Sequence, residues 1–423
     1  MTETVKMENR RKDKLIYIFS TIVLRFLFDR IYIMTIAPYY AYRGLEFSPT
    51  TVSAIQSWGL LLGGIFMTIP FLWNKKSTIS HAAIFLFCFF VPWTSFIYCK
   101  AQPIDFVLCE AIYWFMIFFC LRISAQYQSQ SIKERKNDEG ILSMIVVVLS
   151  LSVLYISFVY AHFRFNFRLD NVYEMRMEAR KFNLPLFLDY AWPAASNILP
   201  VAVVYYMSRK RWSLAILIAI VVLLDFSING LKATLFRLIL CFLFYFFIHG
   251  DIRKKILPYL TGFVGMGLLE YILFSSNFIS SVILRRTFYV PALLDSLYYD
   301  LIQETGPIYF SHEINNIPIT FYIGDLYFHD DEMRANNGLF SDAYMNLGLI
   351  GCLVYPIAYA ILFNICESKF IGLKGYIQLY TLLLISMALR SSEFTTALLT
   401  HGLFLLILTM TFMPRGKSEL YVN

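Results

Sequence analysis

The sequence predicts an all-α, polytopic integral membrane protein with about twelve transmembrane helices and two long loops on the non-cytoplasmic side. Hydrophobic residues make up 58% of the 423-residue chain and charged residues 15%. Soluble domains have about 45–50% and about 25%. A soluble globule has too little interior to bury so much apolar surface. Composition therefore excludes a soluble enzyme, a disordered chain and a disulfide-stapled secreted domain, and residues 1–423 are predicted to form a single membrane domain.

Twelve apolar runs are candidates for membrane-spanning helices, because a helix needs about 20 apolar residues to cross ~30 Å of hydrocarbon. The first run contains Arg25, Asp29 and Arg30 and has no small-residue cleavage pattern, so it is predicted to remain as a helix rather than to be a signal peptide. The runs cover residues 15–37, 52–73, 79–98, 104–124, 141–161, 193–208, 213–229, 233–248, 256–275, 341–363, 376–390 and 396–413.

The distribution of Lys and Arg predicts that both termini are cytoplasmic, since cytoplasmic loops carry the excess of basic residues. Basic residues fill the N-terminal tail and alternate loops, whereas the short loops on the other side hold only Arg43, Lys100 and Lys232. The net charge of +7 is thus explained by membrane orientation, and no nucleic-acid partner is expected. The basic positions beyond the first tail include Lys75, Lys76, Lys133, Arg135, Lys136, Arg209, Lys210, Arg211, Arg253, Lys254, Lys255, Lys369, Lys374, Arg415 and Lys417.

Two segments on the non-cytoplasmic side are much longer than the other loops: residues 162–192 and residues 276–340. Both are rich in aromatic and apolar residues, which argues against disorder. Long ordered loops usually carry function. A transporter built on repeats would instead have short loops and similar halves.

The first long loop predicts a helix over residues 171–182, with Asp170 or Asn171 as its N-cap. Arginine forks match phosphate oxygens, and an aromatic ring suits the face of a sugar. A solvated interfacial helix with an ion pair between Glu178 and Lys181 is the alternative. The candidate substrate-binding residues share one face of the helix: Tyr173, Arg176 and Arg180.

The second long loop predicts an amphipathic helix along the membrane surface, because Val290, Leu294, Leu297 and Leu301 follow a helical spacing. Two arginines at its start could bind a lipid-linked diphosphate or anchor the helix to lipid headgroups. The substrate-binding candidates of this loop are Arg285, Arg286 and Arg334.

Carboxylates in and after the second loop are the candidate catalytic groups. Asp342 lies where the loop enters a helix, so it is a candidate general base or a helix cap. Asp325 and Glu313 are the reserve candidates for the base. No ligand spacing specific to a metal is present, and we expect neither a metal nor a cofactor.

Several charges fall inside the predicted spans, where they are costly and usually face a cavity or a partner. Arg25 and Asp29 have the i, i+4 spacing of an ion pair. Lys232, a further substrate-binding candidate, lies near the outer end of the eighth run with Arg237, and Arg390 lies with Glu393 at the outer end of the eleventh. For Lys232 and Arg390, snorkelling to the interface is the alternative.

The segments NGLKATLFRL, LRRTFYVPALLDSLYYDL and Asn337–Gly351, with the YEMR arginine of the first loop and the overall topology, resemble the Wzy-type polymerases of O-antigen and capsule repeat units. The resemblance implies a GT-C-like fold in the bacterial inner membrane, with the two long loops in the periplasm. It also implies a glycosyltransferase that moves a growing glycan from undecaprenyl diphosphate onto a lipid-linked repeat unit. The implied partners are that lipid-linked oligosaccharide, membrane lipid and a chain-length regulator protein.

Two other functions remain open from the sequence. An O-antigen ligase of lipopolysaccharide synthesis would share the topology and the lipid donor. An oligosaccharide flippase or another transporter would also have about twelve helices, but would be expected to lack large ordered outer loops.

Overall fold

The computed structural model describes residues 3–73, 79–127, 139–165, 172–248 and 250–414, most of which are helical. The prediction of an all-α membrane protein is confirmed. Within those ranges, eight helices are long and apolar enough to cross a membrane. They are Thr51–Leu72, Ser80–Cys99, Ile104–Ala125, Glu139–Val159, Trp212–Asn229, Ile252–Phe274, Phe340–Phe370 and Phe394–Phe412.

All twelve predicted runs lie in helical segments, but the runs 15–37, 193–208, 233–248 and 376–390 belong to none of these eight helices. The count of twelve crossings therefore stays a prediction. The expected N-cap at Asp170 or Asn171 lies outside the described residues. So do the basic positions Lys75, Lys76, Lys133, Arg135, Lys136, Arg415 and Lys417.

The helices follow one another along the chain with few strands. They are α1 Glu3–Ile31, α2 Ala37–Tyr40, α3 Thr51–Thr68, α4 Ser80–Cys99, α5 Ile104–Tyr127, α6 Glu139–Val159, α7 Val172–Ala179, α8 Leu186–Ser208, α9 Trp212–Asn229, α10 Lys232–Phe247, α11 Ile252–Phe274, α12 Val290–Thr305, α13 Ile319–Phe328, α14 Phe340–Phe370, α15 Gly375–Ser391, α16 Phe394–Leu398 and α17 Leu403–Phe412. Two π-helical segments precede α2 and α12, at Tyr32–Ile36 and Ile279–Tyr289, and a small antiparallel hairpin joins β1 Glu313–Ile314 to β2 Ile317–Pro318.

The chain divides into two compact units. The first comprises Met1–Gln130, Arg253–Asn364 and Leu389–Glu393. The second comprises Ser131–Ile252, Ile365–Ala388 and Phe394–Asn423.

Helix α4 is the core of the first unit: all of its residues except His81 and Tyr98 are buried. A helix that is apolar on every side is typically enclosed by other helices, and α4 packs against α1, α3 and α5. The i, i+4 ion pair predicted between Arg25 and Asp29 on α1 is present and buried.

Polar groups from neighbouring helices complete the surroundings of this ion pair. Arg25 donates from Nε to the Thr94 hydroxyl at 3.2 Å and from Nη2 to the Ser57 hydroxyl at 3.1 Å. Asp29 accepts from the Ser95 hydroxyl at 2.6 Å. Because an unpaired buried charge is strongly destabilising, these partners explain how two charges are accommodated inside an apolar bundle.

The predicted run over residues 341–363 lies within α14, and the helix is interrupted once along it. Helix α14 breaks at Gly348, which has φ 56° and ψ −139°. The two parts of α14 touch: a Cβ atom at Gly351 would lie 1.9 Å from the Ala343 carbonyl oxygen. Glycine at position 348 permits the positive φ, and glycine at position 351 permits the close approach of the two backbones.

The second long loop is ordered and mostly helical, and α12 lies where the sequence predicts a membrane-surface helix. In α12, the six consecutive residues Pro291–Ser296 are all buried. Six residues cover the full circumference of a helix at 3.6 residues per turn. The first half of α12 is therefore packed inside the first unit, whereas Asp300 and Glu304 in its second half are exposed. Its place at the membrane surface stays a prediction.

In the second unit, α8 forms the core, with every residue from Ala194 to Met207 buried. It begins at Leu186, so the first long outer loop is shorter than the predicted 162–192. Inside that loop, α7 packs against α9. The turn after α9 requires Gly230, which has φ 60° and whose Cβ would lie 2.7 Å from the Val172 carbonyl oxygen.

Candidate functional site

A cluster of exposed and half-buried basic and aromatic side chains lies on the first unit. We call Arg43, Arg285 and Arg286 the arginine cluster. The Arg285 guanidinium lies 3.9 Å from the centre of the Tyr40 ring, and that of Arg43 lies 5.5 Å from the Tyr42 ring. Within the described ranges, none of the three arginines forms an ion pair with a carboxylate, so no described acidic group neutralises their positive charges.

Two chain segments bring this cluster together. Arg43 ends a short 3₁₀ turn after α2, and Arg285 and Arg286 belong to the π-helical segment before α12. Next to Arg43, Gly44 packs against Leu293 of α12, and its carbonyl accepts a 2.7 Å hydrogen bond from Lys100 Nζ. The positive-inside pattern predicts that these segments lie on the same side of the membrane, and in the structure they pack against each other.

Arg285 is partly buried and lies next to two other positive charges, those of Arg286 and Arg43. Partial burial lowers the pKa of Arg285, and the nearby charges of Arg286 and Arg43 lower it further. The interaction with Tyr40 raises the pKa and so opposes these effects. An anion at the cluster would relieve this repulsion and form charge-assisted hydrogen bonds with the guanidinium groups. The arrangement therefore suits a phosphate or diphosphate group.

A buried polar network surrounds Asp295, which lies on α12. Arg390 pairs with Asp295 at 3.2 Å between Nη2 and Oδ2. Asp295 Oδ1 also accepts from the Asn337 amide at 2.8 Å and from the Ser341 hydroxyl at 2.6 Å. Snorkelling of Arg390 to the interface is wrong, because its side chain is only 5% exposed. The burial of the Arg390 side chain is explained by its ion pair with the Asp295 carboxylate.

Asp342 is also buried, with 1% of its surface exposed. It lies in the first turn of α14, and its Oδ1 accepts from the Asn346 amide at 2.8 Å and from the Tyr355 hydroxyl at 3.4 Å. A general base must come within hydrogen-bonding reach of the proton that it removes. In this state, Asp342 is enclosed by protein groups.

The loop between α12 and α13 carries an ion pair to the end of α15. His312 Nδ1 lies 2.7 Å from Glu393 Oε2. The histidine side chain is 49% exposed and the glutamate side chain 16%. Burial raises the pKa of Glu393, and the neighbouring His312 opposes that effect. Burial disfavours the glutamate charge, and the hydrogen bond from His312 favours it.

The predicted residues of the second long loop are not part of the pair of His312 and Glu393. Glu313 in β1 and Asp325 in α13 are exposed, and both remain candidates for the base. Arg334 is exposed and lies 4.8 Å from the Phe321 ring. The loop that carries His312 is linked to Asp342 through Asn346. The Phe310 amide donates to Asn346 Oδ1 at 2.9 Å, and the Asn346 amide donates to Asp342.

The predicted residues of the first outer loop belong to the second unit. Arg176 donates to the Gly230 carbonyl at 3.2 Å, and Tyr173 is exposed on the same short helix. Arg180 follows the end of α7 and is exposed, and Lys232 is the half-buried first residue of α10. Instead of the expected pair with Lys181, Glu178 forms a 2.5 Å ion pair with Arg164.

Sequence reasoning missed Arg43, Asp295, Asn337 and Ser341. The only local signal was composition: an Asp within an otherwise apolar helical stretch is rarely buried without a partner. Among the described residues, no group of three or more His, Cys, Asp or Glu side chains could hold a metal ion.

Comparison with known proteins identifies no relative, because no family model, no curated protein and no solved structure matches the chain.

Proposed function

We propose that this protein is a membrane glycosyltransferase that polymerises the repeat units of an O-antigen or capsular polysaccharide. It would transfer a growing glycan from undecaprenyl diphosphate onto a lipid-linked repeat unit at the periplasmic face of the bacterial inner membrane. The observation that carries the proposal is the arginine cluster. Its three arginines have no acidic partner among the described residues, and they lie on segments that the sequence predicts to be on the non-cytoplasmic side. The protein also has several apolar helices that are long enough to cross a membrane.

The chemistry of the transfer requires such a cluster. As the bond from the sugar to the diphosphate breaks, negative charge develops on the departing phosphate oxygens. Preorganised cations that face this charge stabilise the transition state more than the ground state. Arg285 and Arg286 were predicted for this role from the sequence, and Arg43 adds a third guanidinium.

Arg176, Arg180, Tyr173 and Lys232 remain proposed ligands of the glycan or of its diphosphate. They lie in the second unit, on segments predicted to face the same side. Arg334 remains a proposed ligand on the first unit. No cofactor is needed, since the lipid diphosphate is itself the activated leaving group. A chain-length regulator protein is a proposed partner.

Deletion of the gene from its host tests the proposal, with surface and lipid-linked glycans separated on gels. Loss of a polymerase leaves a single repeat unit on the final acceptor. Loss of an O-antigen ligase leaves no attached glycan, and loss of a flippase stops export before polymerisation. Either of those two outcomes, or an unchanged ladder, would contradict the proposal.

Complementation with arginine variants tests the role of the cluster. Removing one charge-stabilising donor typically costs about 10²–10³-fold in rate, so Arg285→Ala is expected to shorten or abolish the ladder. Arg285→Lys keeps the charge but loses the planar fork, and it should restore only part of the chain length. The exposed Arg122 on α5 provides the control: Arg122→Ala should leave the ladder unchanged.

A further inference from the structure

We infer that His312 is the general base that activates the acceptor hydroxyl, and that Glu393 is the positioning residue that orients it. This inference rests on the proposed function, since it assigns a residue to the transfer reaction. It departs from the sequence-based choice of Asp342 because the pair of His312 and Glu393 lies at the surface, whereas Asp342 is enclosed.

The hydrogen bond between the two side chains selects the useful tautomer. Glu393 accepts from Nδ1–H at 2.7 Å, so the neutral ring carries its lone pair on Nε2. Which ring nitrogen holds the proton is set by the hydrogen bond of the other. Within the part of the chain that the structure describes, Nε2 has no hydrogen-bond partner, and half of the ring is exposed. A base that is oriented by a carboxylate on its far side is the common arrangement for activating a hydroxyl.

The backbone of the loop fixes the position of the histidine. The Ile308 amide donates to the Met345 carbonyl at 2.9 Å, and the Ile319 amide donates to the His312 carbonyl at 3.0 Å. His312 itself has φ 59°, in the left-handed region that few non-glycine residues adopt. Such strained positions persist only where the surrounding structure enforces them, and they concentrate at functional sites.

Asp342 takes part in this arrangement as a support. It accepts from the Asn346 amide, and Asn346 Oδ1 in turn accepts from the Phe310 amide, two residues before His312. Loss of the Asp342 carboxylate would thus remove one of the hydrogen bonds that hold Asn346, which in turn holds the loop. A carboxylate that acts through the loop needs no contact with the substrate.

The residues next to His312 suit a sugar acceptor. Tyr309 and Phe310 are 70% and 49% exposed, and large exposed rings on a fixed loop provide apolar surface with, for Tyr309, a hydroxyl at its edge. The other titratable groups near Glu393 are Tyr298 and Tyr355. The ion-pair partner of the Glu393 carboxylate is His312.

The step balances as an ordinary glycosyl transfer. The acceptor oxygen forms a bond to the anomeric carbon of the donor glycan and gives its proton to His312 Nε2. The bond from that carbon to the lipid diphosphate breaks, and its electron pair leaves with the diphosphate anion. The proton on His312 then passes to solvent, because half of the ring is exposed.

The test uses full-length variants in membranes, with the lipid-linked glycan that accumulates in membranes of the deletion host as substrate. A general base contributes about 10²–10⁴-fold, so His312→Ala should reduce transfer by that factor without reducing the amount of inserted protein. Added imidazole should restore part of the activity, because it can occupy the vacated space and accept the proton. His329→Ala is the control, since His329 is also exposed, has φ 53° and lies in the first unit. It should keep full activity.

The outcomes separate the inference from the proposed function. If the wild-type protein does not extend the substrate, the proposed function fails. If the wild type is active and His312→Ala retains more than a tenth of that activity, or its loss is not rescued by imidazole at any concentration, His312 is not the base.

The role of Glu393 is tested in the same membranes. Glu393→Gln should lower kcat with little change in KM, and it should cause no further loss when His312 is already alanine. Residues that act as one unit are strongly non-additive. Equal losses in both backgrounds would show that Glu393 acts independently of His312 and would overturn its positioning role.

Discussion

Replacing Asp295 is expected to destabilise the first unit more than almost any other single polar substitution. The carboxylate is completely buried, forms an ion pair with Arg390, and accepts hydrogen bonds from Asn337 and Ser341. In Asp295→Ala, the Arg390 guanidinium would stay buried without its counter-charge. Breaking a buried ion pair by removing one partner costs about 3–5 kcal/mol.

The size of the effect can be checked by thermal unfolding of the purified protein in detergent. In a cooperative unit of 150–250 residues, 1 kcal/mol shifts Tm by about 2–4 °C. Asp295→Ala should therefore lower Tm by roughly 6–20 °C on that scale. Asp300→Ala is the matched control, because Asp300 lies on the same helix but is exposed. Surface substitutions usually change stability by less than about 0.5 kcal/mol.

A second substitution tests the physical reason. Changing Arg390 to methionine in the Asp295→Ala background removes the stranded charge, and should recover a large part of the lost stability. If Asp295→Ala unfolds within about 2 °C of the wild type, the network does not hold α12 in place. If the double variant is less stable than Asp295→Ala, the uncompensated charge is not the cause of the loss.

Three further outcomes follow from the same structure. Gly351→Ala should prevent stable folding, because its Cβ would lie 1.9 Å from a backbone oxygen. Gly262→Ala on α11 is the control and should be tolerated, because its Cβ would meet nothing within 4 Å. The yield of protein after membrane extraction distinguishes the two variants. Burial raises the pKa of Glu393, so above the ordinary Glu value of about 4.3 the folded state binds more protons than the unfolded state. Stability should therefore fall as pH rises through the raised pKa. Glu393→Gln should remove that part of the pH dependence of Tm, and an unchanged dependence of Tm on pH would contradict the raised pKa of Glu393. Tyr309→Ala should raise KM for the acceptor more than it lowers kcat, and an effect on kcat alone would argue against a binding role for the ring.

The class of the protein and the positions of its helices follow from the sequence because they depend on local properties. Each apolar run contains enough residues to form a helix, and backbone hydrogen bonds in lipid must be satisfied within the segment. The ion pair of Arg25 and Asp29 was also predictable, since residues four apart share a helix face. The sequence likewise marked Arg285, Arg286 and Asp342 as residues to examine.

The tertiary structure decided which distant residues meet. Arg390 is buried rather than snorkelling because α12 brings Asp295 to it, and no local pattern relates these two positions. Helix α12 carries an apolar stripe typical of a surface helix, and packing also covers the other faces of its first half, Pro291–Ser296. His312 became the candidate base only when the loop placed it beside Glu393. Spacing along one helix determines which neighbours share a face, whereas contacts between segments depend on how the chain packs, and the chemistry of the site depends on those contacts.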